Sequence, residues 1–134
     1  MALRWYTVVV DSHDIAAQSR WWAETLGYVV VWDSPEGVAI VPPWASTTPF
    51  EDPEEWRRQP QGMVFVPVEE GKEVKNRLHL DLAPHSTGDR DAEIEALLGR
   101  GATRADVGQP ADAGFTVLRD PEGNEFCVLG ARSL

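Results

Sequence analysis

The sequence contains one cysteine, Cys127, in 134 residues. A single cysteine cannot form an internal disulfide or a zinc site built from several thiolates, so the chain has no need of an oxidising compartment. No apolar run approaches the roughly 20 residues that span a bilayer. Residues 1–5 also lack the long apolar core of a secretory signal. These absences predict a cytoplasmic protein with no membrane partner.

Basic residues are scarce as well. The chain has 12 lysines and arginines against 22 aspartates and glutamates, and its formal net charge is −10. Nucleic-acid-binding proteins hold phosphates with clustered lysine and arginine, so this balance predicts no nucleic-acid partner. An acidic cleft can attract a cationic small molecule, although solubility explains the same charge more simply. The hydrophobic content of 43% suffices for one packed core, and we predict a single domain over residues 1–134.

The first half of the chain predicts the element order β-α-β-β-β. Runs of β-branched and aromatic residues indicate the strands, and a Pro- and Gly-containing turn separates two of them. Asp14 is a suitable N-cap for the helix, and Gly27 is a suitable end. The predicted bounds are 5–11, 28–32, 38–41 and 62–68 for the strands and 15–26 for the helix.

The second half repeats this order, and Gly27 and Gly101 fall at matching points of the two halves. Its predicted bounds are 77–82, 102–105, 115–119 and 125–129 for the strands and 89–98 for the helix. Because each half presents a sheet that cannot bury its own face, we expect the halves to pair. The prediction is an α+β fold of two tandem βαβββ modules, about 1–70 and 71–134. Their curved mixed sheet would surround a groove, with the helices outside.

The segment 43–61 is an unusually long connection between the third and fourth strands. Within it the run 52–55, Asp-Pro-Glu-Glu, is typical of a helix start and predicts a short helix. Long connections in compact domains often act as lids. Three large aromatic residues of this segment would either contact a ligand or pack on the body of the protein. They are Trp44, Phe50 and Trp56.

The segment 77–82 alternates polar and apolar residues with a period of two. In a strand this period sends Arg77, His79 and Asp81 to one face and three leucines to the other. An acid that orients a neighbouring imidazole makes it a general base near neutral pH. Arg77 can hold a substrate carboxylate or phosphate with its planar guanidinium. Alternatively, the same trio forms a buried network that keeps the two halves in register, or simply faces water.

Two further features concern single side chains. Trp21 and Trp22 are adjacent on the predicted helix and cannot share a face, so we expect one to pack inward and the other to be partly exposed. Cys127 lies on the last predicted strand, where a free cysteine is usually a small apolar filler. As a nucleophile it would need an activating base, for which His79 is the suitable histidine.

Three motifs, together with the repeated element order, carry a family resemblance. They are Leu26-Gly27-Tyr28, the run 75–82 (KNRLHLDL) and the run 120–129 (DPEGNEFCVL). The chain resembles the glyoxalase/bleomycin-resistance/extradiol-dioxygenase group, the vicinal oxygen chelate superfamily, and within it the glyoxalase-like domains of actinobacterial type. The resemblance covers nearly the whole chain and is weakest over 44–61. It implies a fold rather than one reaction, because this fold hosts lyases, isomerases, dioxygenases, antibiotic-modifying enzymes and binding proteins.

Metal-dependent members of this superfamily hold the ion with residues on the inward faces of particular strands. Carried over by resemblance, these positions are Thr7, His79, Cys127 and a position near 64–66. Only His79 is a conventional ligand, so the resemblance implies that the full metal site is missing and that no cofactor is expected. A divalent metal is compatible with His79 if Asp81, Glu125 or Cys127 supplies further donors.

The sequence therefore supports two main functions. The first is a glyoxalase-like enzyme that performs lyase- or isomerase-type chemistry on an oxygenated small metabolite, with His79, Asp81 and Arg77 as catalytic residues. Six further residues are expected to contact the ligand: Thr7, Trp44, Phe50, Trp56, Glu125 and Cys127. The alternative is a metal-free binding protein that sequesters an antibiotic-like or cationic small molecule. The resemblance also implies a homodimer.

Overall fold

The computed structural model describes residues 3–134. The chain forms two compact units, the first ending at Gly71 and the second comprising Lys72–Leu134. The first unit contains β1 (Thr7–Ser12), α1 (Ile15–Leu26), β2 (Val29–Ser34), β3 (Gly37–Val41), α2 (Pro53–Arg57) and β4 (Gly62–Pro67). The second contains β5 (Asp81–Leu82), α3 (Arg90–Gly99), β6 (Thr103–Arg104), β7 (Phe115–Arg119) and β8 (Glu125–Leu129).

Each unit has a four-stranded mixed sheet, and the two sheets share one topology. The strand order is β1-β4-β3-β2 in the first unit and β5-β8-β7-β6 in the second. The pairs β1–β4 and β5–β8 are parallel, and all other neighbouring strands in the two sheets pair antiparallel. The prediction of an α+β fold with two βαβββ modules is confirmed, and α2 is the short helix expected inside the long connection.

The two longer helices begin at aspartate caps. The Asp14 carboxylate accepts a hydrogen bond from the Ala17 backbone N–H at 3.1 Å, and Asp89 does the same for Ala92 at 3.1 Å. The predicted helix at 89–98 therefore begins one residue later, because Asp89 is its cap. Helix α1 ends at Gly27, whose φ of 67° is a left-handed conformation that glycine adopts without strain. No helix of residues 3–134 is long and apolar enough to cross a bilayer.

Helix α1 covers one face of the first sheet and packs on β3 and β4. Both of its tryptophans are buried, with 7% of Trp21 and 3% of Trp22 exposed, and their rings meet edge to face with centroids 5.2 Å apart. The prediction that one of them would be partly exposed is wrong. Adjacent helical side chains point roughly 100° apart, but two indole rings are large enough to enter the same layer when one edge meets the other face.

In the second unit both faces of β8 are buried. Phe126 and Val128 lie on one face, and α3 packs against this strand. Cys127 lies on the opposite face, where it forms a small core cluster with Ala105 and Val117. The expected burial of Cys127 on a strand is confirmed. This face of β8 also carries the side-chain cluster described below.

The predicted strand at 77–82 is reduced to Asp81–Leu82, and the prediction that 77–80 are extended with alternating faces is wrong. The register explains why: Asp81 pairs with Cys127, so residues 77 and 78 would have to pair with the turn that precedes β8. Leu78 is 89% exposed and does not reach a core. The parallel pairing extends upstream only through the hydrogen bond from the Cys127 N–H to the Leu80 carbonyl, at 2.9 Å.

Candidate functional site

Three of the predicted site residues come together at the edge of the second sheet. His79, Asp81 and Cys127 each offer a nitrogen, oxygen or sulfur atom, and these atoms all lie within 4.8 Å of one another. Parallel pairing of β5 with β8 places Asp81 beside Cys127 on the same face. His79 lies two residues before Asp81, and its Nε2 approaches the Asp81 carboxylate. We call these three residues the His79 cluster.

Asp81 connects the other two members of the His79 cluster. Its Oδ1 lies 3.1 Å from Nε2 of His79. Burial raises the pKa of the Cys127 thiol, and the Asp81 carboxylate raises it further through its charge and a hydrogen bond. Cys127 is therefore a protonated thiol at neutral pH that donates to Asp81. A thiol held in this state is a poor nucleophile.

The exposure of the histidine and the aspartate defines what their contact can do. About half of each side chain reaches solvent, with 42% of His79 and 48% of Asp81 exposed. A water-exposed contact of this kind adds little to stability. Its main effect is on geometry, because a carboxylate that accepts Nε2–H leaves Nδ1 with the free lone pair. The arrangement therefore suits a histidine that exchanges protons with a bound molecule.

Arg77 does not share a strand face with the His79 cluster. The chain from 77 to 80 is irregular, and the Arg77 side chain is exposed. The predicted alignment of Arg77, His79 and Asp81 along one strand is therefore wrong. The contact between His79 and Asp81 does not need the longer strand, because Asp81 begins β5 and His79 lies only two residues before it.

Glu125 anchors the segment that leads to His79. Only 6% of Glu125 is exposed. Its Oε1 accepts a hydrogen bond from Lys72 Nζ at 2.8 Å, and its Oε2 accepts one from the Asn76 backbone N–H at 3.0 Å. Burial raises the pKa of this carboxyl, but the hydrogen bonds from Lys72 and Asn76 outweigh burial and lower the pKa to about 2. Glu125 is thus ionised, and both of its oxygens are engaged by the chain itself.

A cavity of about 330 Å³ lies beside the His79 cluster and within the second unit. His79, Cys127 and Glu125 border it together with Lys75, and Phe115 and Val107 add apolar surface. An apolar wall with a few polar groups at one side is the usual form of a small-molecule site. Val107 and Phe115 were missed as site residues, since only the tertiary fold brings the irregular run 105–114 and the start of β7 to this cavity.

The remaining predicted ligand contacts lie in the first unit. Thr7, Phe50 and Trp56 border a different cavity, of about 320 Å³. Trp44 is 76% exposed and does not border it. Apart from Arg77 and Trp44, the predicted site residues therefore fall into two sets, each within its own unit. Arg4, which the sequence gave no reason to select, borders the cavity of the first unit.

The donor set of the His79 cluster fits a metal ion. An imidazole nitrogen, a carboxylate oxygen and a sulfur within 4.8 Å of one another form a three-ligand set of the kind that zinc accepts with an open fourth position. The thiol would have to lose its proton to bind, and its raised pKa opposes this. The cluster can therefore hold a divalent metal, but binding through sulfur requires free energy to deprotonate the Cys127 thiol.

Several solved structures with this fold carry names from one group of proteins. A glyoxalase/bleomycin resistance protein/dioxygenase family enzyme from Burkholderia phytofirmans PsJN is similar with a TM-score of 0.68 and 15% identity, over 96% of this chain and 99% of the other. A superfamily member from Sphaerobacter thermophilus DSM 20745 gives 0.60 and 21%, over 97% and 98%. A glyoxalase-related enzyme from Fulvimarina pelagi gives 0.60 and 13%, over 93% and 86%. At these identities the likeness shows the fold.

The sequence itself matches one family. No curated protein matches it significantly. The glyoxalase-like domain family, however, matches residues 7–129, which include both four-stranded sheets and the His79 cluster. The chain therefore belongs to the glyoxalase-like domain family.

Proposed function

We propose that this protein is a small-molecule enzyme that moves a proton on an oxygenated metabolite, in a lyase- or isomerase-type reaction, with His79 as the general base. Membership of the glyoxalase-like family supports a role in small-molecule catalysis or binding. The observation that carries the finer proposal is the 3.1 Å contact between His79 Nε2 and Asp81 Oδ1 at the edge of a cavity.

The proposed reaction begins with removal of a proton from the carbon next to a carbonyl group. His79 Nδ1 takes the proton, the C–H electron pair moves into a carbon–carbon double bond, and the carbonyl oxygen becomes an enolate. Asp81 stabilises the imidazolium that forms. Lys75, which borders the same cavity, supplies positive charge for the enolate. Arg77 does not border this cavity, so the role predicted for it from the strand pattern is not part of the proposal.

The remaining polar members of the site act through their neighbours. The Cys127 thiol donates to Asp81 and fixes the direction of that carboxylate. Glu125 holds Lys72 and Asn76, and with them the segment that carries Lys75 and His79. Both residues are positioning residues in this proposal.

A divalent metal would be held by His79, Asp81 and Cys127. When bound, such an ion would polarise an oxygen of the substrate as a Lewis acid. Proton transfer by His79 needs the imidazole lone pair free, so a bound metal and a general base are two alternative uses of the same side chain.

The test of the proposed function is α-proton exchange in D₂O, followed by ¹H NMR. Suitable compounds are hydroxyacetone, acetoin and 2-oxobutyrate, of which the last carries a carboxylate. We expect the protein to accelerate loss of the α-C–H signal of at least one of them, because a general base exchanges the proton it removes with solvent. Saturable binding without exchange would favour the alternative of a sequestering protein. If the protein neither binds these compounds nor exchanges their protons, the proposal is contradicted for small α-hydroxy and α-keto compounds.

The effect of chelation separates the two uses of His79. We expect exposure to excess EDTA and dialysis to change the exchange rate by less than about twofold, because a three-ligand site that requires a high-pKa thiol to ionise binds metal weakly. Metal content of the treated protein is measured alongside by plasma mass spectrometry. Loss of exchange after chelation, with recovery on adding zinc or manganese, would contradict the metal-free base and assign the His79 cluster to a metal.

A further inference from the structure

The cavity of the first unit has an apolar floor and an arginine at its end. Its floor is the face of the first sheet opposite α1, because Val64 and Ala39 alternate with the buried Met63 and Ile40 along β4 and β3. The connection 43–61 lies over this floor and contributes residues 45–50 and Trp56 to the lining. The volume of about 320 Å³ is at the small end of ligand pockets.

Arg4 is held at this cavity by two aromatic rings and two carbonyl groups. Its guanidinium carbon lies 5.2 Å from the ring centroid of Tyr6 and 5.1 Å from that of Trp56. Its Nη2 donates to the carbonyl oxygens of Pro60 at 3.1 Å and Gln59 at 3.4 Å. These two cation–π contacts partly shield the guanidinium from water and restrict its plane.

The charge of Arg4 is not neutralised by the chain. Its Nε is buried and has no hydrogen-bond partner, and no carboxylate within residues 3–134 forms an ion pair with its guanidinium. This is unusual in a chain with 22 acidic residues against 12 basic ones. An anion beside a partly desolvated guanidinium would neutralise its charge, and the planar geometry of the group matches a carboxylate.

We infer that this cavity binds a small organic anion, in which a carboxylate meets Arg4 and an apolar body lies on the sheet floor. The inference goes beyond the proposed function, because none of its residues belongs to the His79 cluster. It also reverses the charge expected for a ligand from the acidic composition. Arg4 already covers Tyr6 and Trp56, the rings that a cationic ligand would use.

Arg4 also ties residues 59 and 60 to the segment that precedes β1, and this role needs no ligand. The two roles differ in what they predict. A purely structural contact depends on the hydrogen bonds to Gln59 and Pro60. It does not depend on the charge of a ligand or on the shape of the cavity floor. An anion site depends on both.

The experiment is a titration of ¹⁵N-labelled protein with benzoate, benzamide and benzylamine, which share a ring and differ in charge. We expect benzoate to shift the amide signals of Gly62, Val64 and Ser46 saturably, with a dissociation constant at least about tenfold lower than those of the other two. Arg4→Met should weaken benzoate binding by about tenfold or more, and Arg4→Lys by less, because lysine keeps the charge but not the fork.

Two further variants test anion binding without removing the hydrogen bonds by which Arg4 holds residues 59 and 60. Ala39→Leu fills the floor without touching Arg4 and should weaken benzoate binding, while Arg58→Met removes the charge of an exposed arginine and should not. Any one of four results would overturn the inference. Benzylamine could bind as tightly as benzoate, or benzoate could cause no saturable shift up to about 10 mM. Benzoate binding could also be unchanged in Arg4→Met, or unchanged in Ala39→Leu.

Discussion

Replacing His79 by alanine is expected to slow α-proton exchange by about 100-fold or more, which is the usual contribution of a general base. The affinity for the same compound should change far less, because the apolar wall that includes Phe115 and Val107 stays intact. Exchange is followed by ¹H NMR, and binding by the amide shifts of ¹⁵N-labelled protein. The proposal therefore predicts that His79→Ala lowers the rate of proton transfer and leaves the affinity nearly unchanged.

The matched control for this variant is His85→Ala. His85 is an exposed histidine of the same unit, and its Nδ1 lies 2.9 Å from the Thr87 hydroxyl rather than at the cavity. Its loss should leave exchange unchanged. A His79→Ala variant that exchanges at the parental rate would remove His79 from the reaction, and a variant that loses binding and exchange together would make His79 a ligand contact.

Asp81 and Cys127 separate general-base from nucleophilic chemistry. Asp81→Asn removes the charge that stabilises the imidazolium and should also slow exchange. Cys127→Ser keeps a hydroxyl that can donate to Asp81, so exchange should largely persist, whereas Cys127→Ala should lower it through a misdirected Asp81. If Cys127 acted as a nucleophile, serine and alanine would both abolish turnover.

Local patterns predicted the elements of the fold where the chain carries its own start and stop residues. Asp14 and Gly27 mark α1 because a carboxylate caps the first turn and glycine accepts the left-handed residue at its end. The run 77–82 failed, since alternation describes a strand only where a partner strand is present. The partner β8 begins at Glu125, and no property of residues 77 and 78 themselves reveals that.

The candidate site was predictable to a similar degree. His79, Asp81 and Cys127 could be selected from their residue types and strand positions, and the structure brings their donor atoms together. Their roles stay a prediction. Arg4 and Val107 could not be selected, because the first matters through two rings that meet it only in the folded first unit and the second lies in an irregular stretch without periodicity.

Glu125→Gln is expected to lower the free energy of unfolding by about 2–3 kcal/mol at pH 7, since hydrogen bonds to a buried charge are worth more than neutral ones. Glutamine can still accept one of the hydrogen bonds from Lys72 and Asn76, but it brings no charge. Urea denaturation measures the change. Glu73→Gln, an exposed carboxylate of the same segment, is the control and should change stability little.

The pH dependence of this difference identifies the carboxylate as its source. In the folded protein Glu125 has a pKa of about 2, below the ordinary 4.5, so between these values the unfolded chain binds more protons and stability falls as pH falls. The stability difference between the parent protein and Glu125→Gln should therefore be full above about pH 4.5 and shrink as pH approaches 2. Parallel stability profiles of the two proteins would contradict the assignment.

Since the same carboxylate holds the segment that carries His79, Glu125→Gln should also slow exchange at neutral pH, where Glu73→Gln does not.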